Sequence, residues 1–271
     1  YSNPITLEPI TASFDPANCQ GSFWRYRRIL GRGGYTEGCE PNEIVLVNWP
    51  QNDYIEGNII DASPEDVCDH LRAAKEMSLS LFYWMQTEAP RPDGGVGFPE
   101  LYLCPDVLGT KSGFAKAPYI RESRRIRSLF TVTEEHVGLE ARGSNQAQIF
   151  DDSIGLGCYR IDLHPSTGRD NYIDVASLPF QIPLSALVPE RVKNILPACK
   201  NIGTTHITNG CYRLHPVEWN IGEAAGLIAS FCINGDYSPR QICEKSELLR
   251  DMQTQMIDDG FELEWPGIHP V

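Results

Sequence analysis

Three histidines, His164, His206 and His215, lie in segments rich in glycine, threonine and polar residues. An imidazole titrating at about 6.5 can take or give a proton near neutrality, which suits each of them to acid–base work. Asp162 stands two positions before His164. If Arg160 to His164 is a strand, Arg160, Asp162 and His164 share one face, and the Asp162 carboxylate can orient the His164 ring. Each histidine serves equally well as a structural hydrogen-bonding residue. Arginines at 121, 124 and 125 form a second chemical group. On a strand, Arg121, Ser123 and Arg125 face one way, and Glu122 and Arg124 the other. With Arg160, these guanidinium forks suit a substrate carboxylate. Ion pairing with Glu122 and nearby acids is the competing use.

The segment from Asn194 to Cys232 carries the most specific pattern. A hydrophobic run reading as a strand ends in a loop of glycine and threonine. A second loop follows with Gly210, then a helix opening near Pro216. Along that helix Gly222, Ala225, Gly226 and Ala229 form a stripe with little side-chain bulk, which lets a backbone or a flat ligand approach closely. The helix N-terminus offers free N–H groups and a positive partial charge, the right end for the electron-rich edge of a reduced flavin. A tightly packed helix in an α/β core produces the same stripe.

The order Asn194, Ile195, Leu196, Ala198, Ile202, Thr205, His206, Gly210, Arg213, Pro216, Gly222, Ala224, Ala225, Gly226 resembles the C-terminal motif of the FAD-dependent oxidoreductases, flavoproteins of the fumarate-reductase and glutathione-reductase type. Lys200, Pro197 and Trp219 depart from that motif. "PYIRESRRI" from Pro118, "DSIGLGCYRIDLH" from Asp152, "FQIPLSALVPERVKNIL" from Phe180 and "NWPQNDY" from Asn48 are similar to further motifs of the family, in the same order. The resemblance implies FAD as cofactor and hydride transfer between a small organic substrate and the flavin. It implies cofactor contacts from Asn201, Ile202, Gly203, Thr204, Gly210, Arg213, Pro216, Asn220, Ile221 and Gly222. It places catalysis with His164, His206, His215 and Asp162, and substrate binding with Arg121, Arg124 and Arg160. The family's G-x-G-x-x-G turn for the ADP pyrophosphate is missing, since the glycines at 31, 33, 34 and 38 have the wrong spacing and no helix pattern follows. The expectation is therefore a piece of a longer flavoenzyme, weak in FAD binding and inactive when isolated.

The elements that must hold these residues read as an α+β chain. The expected division is a β-rich substrate-binding domain over 1–183, with one long helix at about 63–86, and a flavin-contacting strand–loop–helix segment of a Rossmann-like domain over 184–271. Ser63-Pro64-Glu65-Asp66 is a strong helix start. Strands are expected near 23–30, 43–49, 100–104, 121–131, 153–164, 171–175, 180–183 and 192–199. A short helical turn is expected at 133–135, and helices at 217–234 and 238–258.

Composition narrows the function classes. The chain has 271 residues with 23 basic against 36 acidic residues, a net charge of −13, which suits neither nucleic acid nor an anionic membrane. No apolar run approaches the roughly 18 residues of a membrane span. Nine cysteines are scattered without C-x-x-C pairs, which argues against a metal site and favours a reducing, cytoplasmic setting. Hydrolase motifs of the G-x-S-x-G and H-E-x-x-H kind are missing. The alternative function is a non-enzymatic carbohydrate- or ligand-binding module using Trp24, Trp49, Tyr54, Tyr83 and Trp84 as stacking surfaces. Oligomeric state is not legible.

Overall fold

The computed structural model of the protein describes residues 23–36, 38, 42–49, 52–122, 124–168 and 172–266. Cys19, Cys39, Pro50, Gln51, Ser123 and Asn171, which figure in the sequence analysis, lie outside the described residues. The chain divides into two compact units: Tyr1–Tyr119 with His164–Asn171, and Ile120–Leu163 with Tyr172–Val271. The boundary expected at 183/184 falls inside the second unit.

The first unit holds α1 (Phe23–Tyr26), the antiparallel pair β1 (Arg28–Leu30) and β2 (Ile44–Val45), α2 (Pro64–Thr87) and α3 (Pro105–Leu108). The long helix α2 forms where the sequence places it. Ser63 caps it by accepting from the Asp66 N–H, Pro64 occupies its first turn, and Glu65 and Asp66 sit at its positive end. Leu81 and Met85 on α2 pack with Trp49 and Ala89 into a small core, flanked by Trp24, Val45, Val47, Trp84, Phe98 and Leu101.

The second unit holds α4 (Glu134–Val137), α5 (Leu139–Arg142), β3 (Ser153–Gly157), β4 (Ile161–Leu163), β5 (Ile173–Val175) and β6 (Phe180–Pro183). Helices α6 (His206–Tyr212), α7 (His215–Gly235), α8 (Pro239–Glu244) and α9 (Ser246–Asp258) complete it. β3 pairs antiparallel with β6, and β4 with β5. Every residue of β3 and β6 is buried. Two glycines allow this: a Cβ at Gly155 would overlap the Asn220 side chain from α7, and one at Gly157 would overlap the Phe180 ring. Phe180 stacks on Tyr212 with ring centroids 4.2 Å apart. The Tyr212 hydroxyl, in this dry place, donates to the Gln181 carbonyl at 2.7 Å. The Leu263 carbonyl accepts from Ser153 Oγ at 2.8 Å and from Gln181 Nε2 at 2.7 Å, which fastens the C-terminal stretch to the sheet.

Mixed α+β content is therefore observed, with far less strand than the sequence suggested among the described residues. Residues 100–104, the described residues of 121–131, and residues 192–199 form no strand. Pro189 and Pro197 remove ladder donors from the last of these stretches and its approach. Residues 126–132 instead make single bridges. Ile126 N–H donates to the Asn201 carbonyl, Leu129 to Val188, Phe130 to Ser185 and Val132 to Gly203. This segment thus ties the 185–190 loop to the 201–203 loop. The expected strand over 153–164 is two strands broken at Cys158–Arg160, and the expected helix over 238–258 is two helices broken at Lys245, whose backbone is extended. Among the described residues no helix is long and apolar enough to cross a membrane.

Candidate active site

The second unit gathers several of the expected functional residues around α6. Thr205 starts this helix by accepting from the Thr208 N–H, so His206 becomes its first residue. His206 and Arg213 are seven positions apart, two helical turns, and share a face with Gly210 between them. That face meets β4. A Cβ at Gly210 would lie 3.1 Å from the Asp162 nitrogen and 3.2 Å from its oxygen, so glycine lets the strand come against the helix.

The approach builds a chain of charges. Arg213, 8% exposed, donates from Nη2 to the Asp162 carbonyl at 2.6 Å and stands 3.7 Å from Asp162 Oδ2. Glu122, 16% exposed, lies between the ends of the helix face. Its Oε1 is 3.3 Å from Arg213 Nε, without the alignment of a hydrogen bond, and its Oε2 is 3.6 Å from His206 Nε2. The Tyr159 hydroxyl donates to Asp162 Oδ2 at 3.4 Å. A guanidinium between two carboxylates compensates buried charge that would otherwise be costly. His206, 39% exposed, is the end of the chain that reaches solvent.

The first unit holds a separate pair. His164 Nδ1 lies 2.5 Å from Asp53 Oδ2, with the side chains 11% and 18% exposed. Asp53, not Asp162, therefore partners His164; the Asp162 carboxylate instead faces Arg213 and Tyr159. The neighbouring Tyr54 hydroxyl bonds His70 Nδ1 at 3.0 Å, and Gly57 is glycine because a Cβ there would overlap the His70 ring.

The remaining expected residues divide by surroundings. Arg160 is in an exposed ion pair with Asp174 at 2.6 Å. Arg121 is partly buried and Arg124 exposed. Ile202 and Ile221 are fully buried in the apolar core. Thr204 is buried beside Asn209, whose Nδ2 donates to the Lys200 carbonyl at 3.0 Å. A Cβ at Gly203 would overlap Ser128 Oγ and lie 2.6 Å from the Phe130 carbonyl. A Cβ at Gly222 would stand 3.0 Å from the Ala198 carbonyl. Close protein neighbours thus account for Gly203, Gly210 and Gly222, while a Cβ at Gly226 would meet nothing within 4 Å. His215 and Pro216 are exposed at the start of α7, where Leu214 supplies no side-chain cap. The N-cap of this 21-residue helix makes no side-chain hydrogen bond, Glu218 stands in its first turn, and Asn201 and Asn220 are partly buried.

Cysteine chemistry is not favoured here. Cys199 donates from Sγ to Glu218 Oε2 at 2.6 Å, and desolvation together with that carboxylate pushes its thiol up. Burial raises the thiols of Cys158, Cys211 and Cys232, and pushes Cys243 up to about 12. Such thiols are poor nucleophiles near neutral pH. Of the aromatics considered for sugar stacking, Trp49 is fully buried, Trp24 and Trp84 pack against its cluster, and Tyr83 is exposed.

Glu122 and Asp53 are the site residues that sequence reasoning did not select. Glu122 was legible as the acid inside an arginine-rich motif, and Asp53 as part of "NWPQNDY". Asp53 lies 111 positions from His164, and no spacing rule links them.

The α6 face and the start of α7 therefore carry most of the residues that the sequence resemblance assigns to catalysis and cofactor contact. A family model described as FAD dependent oxidoreductase matches residues 1–256, and the chain belongs to that family. Its cofactor is FAD and its chemistry is oxidation–reduction. No curated protein and no solved structure matches the chain.

Proposed function

We propose that the chain supplies the substrate side and one flavin-facing wall of an enzyme that moves a hydride between a small organic substrate and FAD. In the oxidation direction the substrate C–H leaves as hydride to the oxidised flavin, and the accompanying proton goes to a base of this chain. His206 is that base. The observation that carries the assignment is its position: it heads α6, directly after the 201–205 loop, and is the solvent-reaching end of an otherwise buried charge chain. Asn201, Pro216, Asn220 and the first turn of α7 hold the flavin edge. Ile202, Gly203, Thr204, Gly210, Ile221 and Gly222 act by shaping that wall through packing. Arg213 serves the site through Glu122 and Asp162. Within the second unit Arg121, Arg124 and Arg160 serve the substrate side and His215 the cofactor end of α7; His164 keeps its own partner, Asp53, in the first unit. By function, residues up to 183 form the substrate side and 184–271 the flavin-contacting segment.

Flavin bleaching tests the proposal. In the flavin-loaded full-length protein, an organic substrate that bleaches the flavin anaerobically should do so about 10²-fold or more slowly in His206→Gln, the usual contribution of a general base. An unchanged bleaching rate removes His206 from the reaction. Because the chain contains no G-x-G-x-x-G turn, the chain alone should bind FAD weakly. Tight binding in a titration of the isolated chain would overturn that part.

A further inference from the structure

We infer that Glu122 is a positioning residue that fixes which nitrogen of His206 takes the proton, and that Arg213 holds Glu122 for this task. The inference rests on His206 being the base. The geometry has three links. Glu122 Oε2 faces Nε2 of His206 at 3.6 Å, within ion-pairing range though longer than a hydrogen bond. Glu122 Oε1 faces Arg213 Nε at 3.3 Å. Arg213 is itself anchored, through Nη2, on the backbone carbonyl of Asp162 at 2.6 Å.

A carboxylate beside one ring nitrogen favours the hydrogen on that nitrogen and leaves the other as the acceptor. Here the Nε2–H tautomer is selected and Nδ1 becomes the proton-accepting atom. When the proton arrives, the ring carries a positive charge 3.6 Å from a carboxylate that is only 16% exposed, so the charge is balanced where it forms. A free carboxylate in Glu122's place could turn to the solvent. Arg213, 8% exposed and bonded to β4, prevents that turn. The chain thus transmits the position of a strand backbone to the tautomer of an imidazole on the neighbouring helix.

The test is ring-nitrogen NMR of His206 in the full-length flavoprotein with ¹⁵N-labelled histidine, the signal assigned by its loss in His206→Gln. In the pH range where the ring is neutral, the expected wild-type spectrum is that of the Nε2–H tautomer. Glu122→Gln, close to isosteric, should give a mixture of both tautomers, and Glu122→Asp should restore the wild-type pattern. Arg213→Met should produce the mixture, and Arg213→Lys should largely keep the wild-type tautomer. A Glu122→Gln spectrum identical to wild type overturns the inference, as does a wild-type ring protonated at Nδ1. If a variant at 213 does not fold, the Glu122 pair alone decides. A separate measurement, the flavin midpoint potential against pH, tests whether His206 is at the cofactor: its profile should differ between wild type and His206→Gln. Identical profiles sink the base assignment and the inference with it, whereas differing profiles beside an unchanged Glu122→Gln spectrum sink the inference alone.

Discussion

The two compact units differ in how much they bury. In the second, apolar side chains from β3, β4, β6, α6, α7, α8 and α9 meet in one continuous core, from Val132 through Ile154, Phe180, Tyr212, Ile221 and Ile242 to Met256. Among the described residues of the first, four side chains are fully enclosed, and Ile29, Tyr83, Val96 and Tyr102 are each at least 60% exposed. The contrast follows from the elements. The all-buried β3–β6 pair gives helices a face to cover, whereas the first unit relies on one long helix and a short strand pair. Buried apolar area is the main source of stability, so the charge chain of α6 is built on the larger of the two cores. A site that depends on sub-ångström placement belongs on such a base.

The largest expected effect breaks the contrast directly. Tyr212→Ala removes a ring stacked on Phe180 and strands the Gln181 carbonyl, and should cost about 3–5 kcal/mol. Leu81→Ala, in the small core of the first unit, should cost about 2–5 kcal/mol. Denaturant unfolding followed by separate tryptophan and backbone signals should show each change acting on its own unit. A smaller effect is expected at Ser63→Ala, which removes the α2 cap and should cost about 1 kcal/mol, read as a lower midpoint in the same unfolding curve. Full retention of the midpoint would mean that packing alone holds α2.

The smallest effect is a slope with pH in the second unit. His136 Nδ1 accepts from the Thr133 N–H at 2.9 Å, so the neutral ring completes the cap of α4. Burial, against the attraction of Glu135 and Glu134 and with help from Arg142, holds its pKa below the usual imidazole value. A lowered histidine pKa favours the folded state with the ring neutral. Stability is therefore fully present above the unfolded value of about 6.5 and declines as pH falls towards the lower folded value. His136→Asn should flatten the stability curve below about pH 6.5. A slope unchanged by that substitution would assign it to another group.

The first turn of α2, the cap at Ser238, the helix containing Gly222 to Gly226 and the family itself were legible in residue order, whereas α6, capped by Thr205, was read as a loop with Gly210. Strand content was overestimated at 121–131 and 192–199, since an apolar run does not specify whether a neighbour exists to pair with. His206 and Arg213 were selected from the motif, but their common face with Glu122 was not visible, because Glu122 precedes them by more than eighty residues. For the same reason the partner of His164 was sought in the adjacent Asp162 and found in Asp53. Sequence alone determined the family, its cofactor and the starts of α2 and α8. Only the tertiary structure decided which carboxylate stands beside which imidazole, because such pairs are set by the packing of segments far apart in the chain.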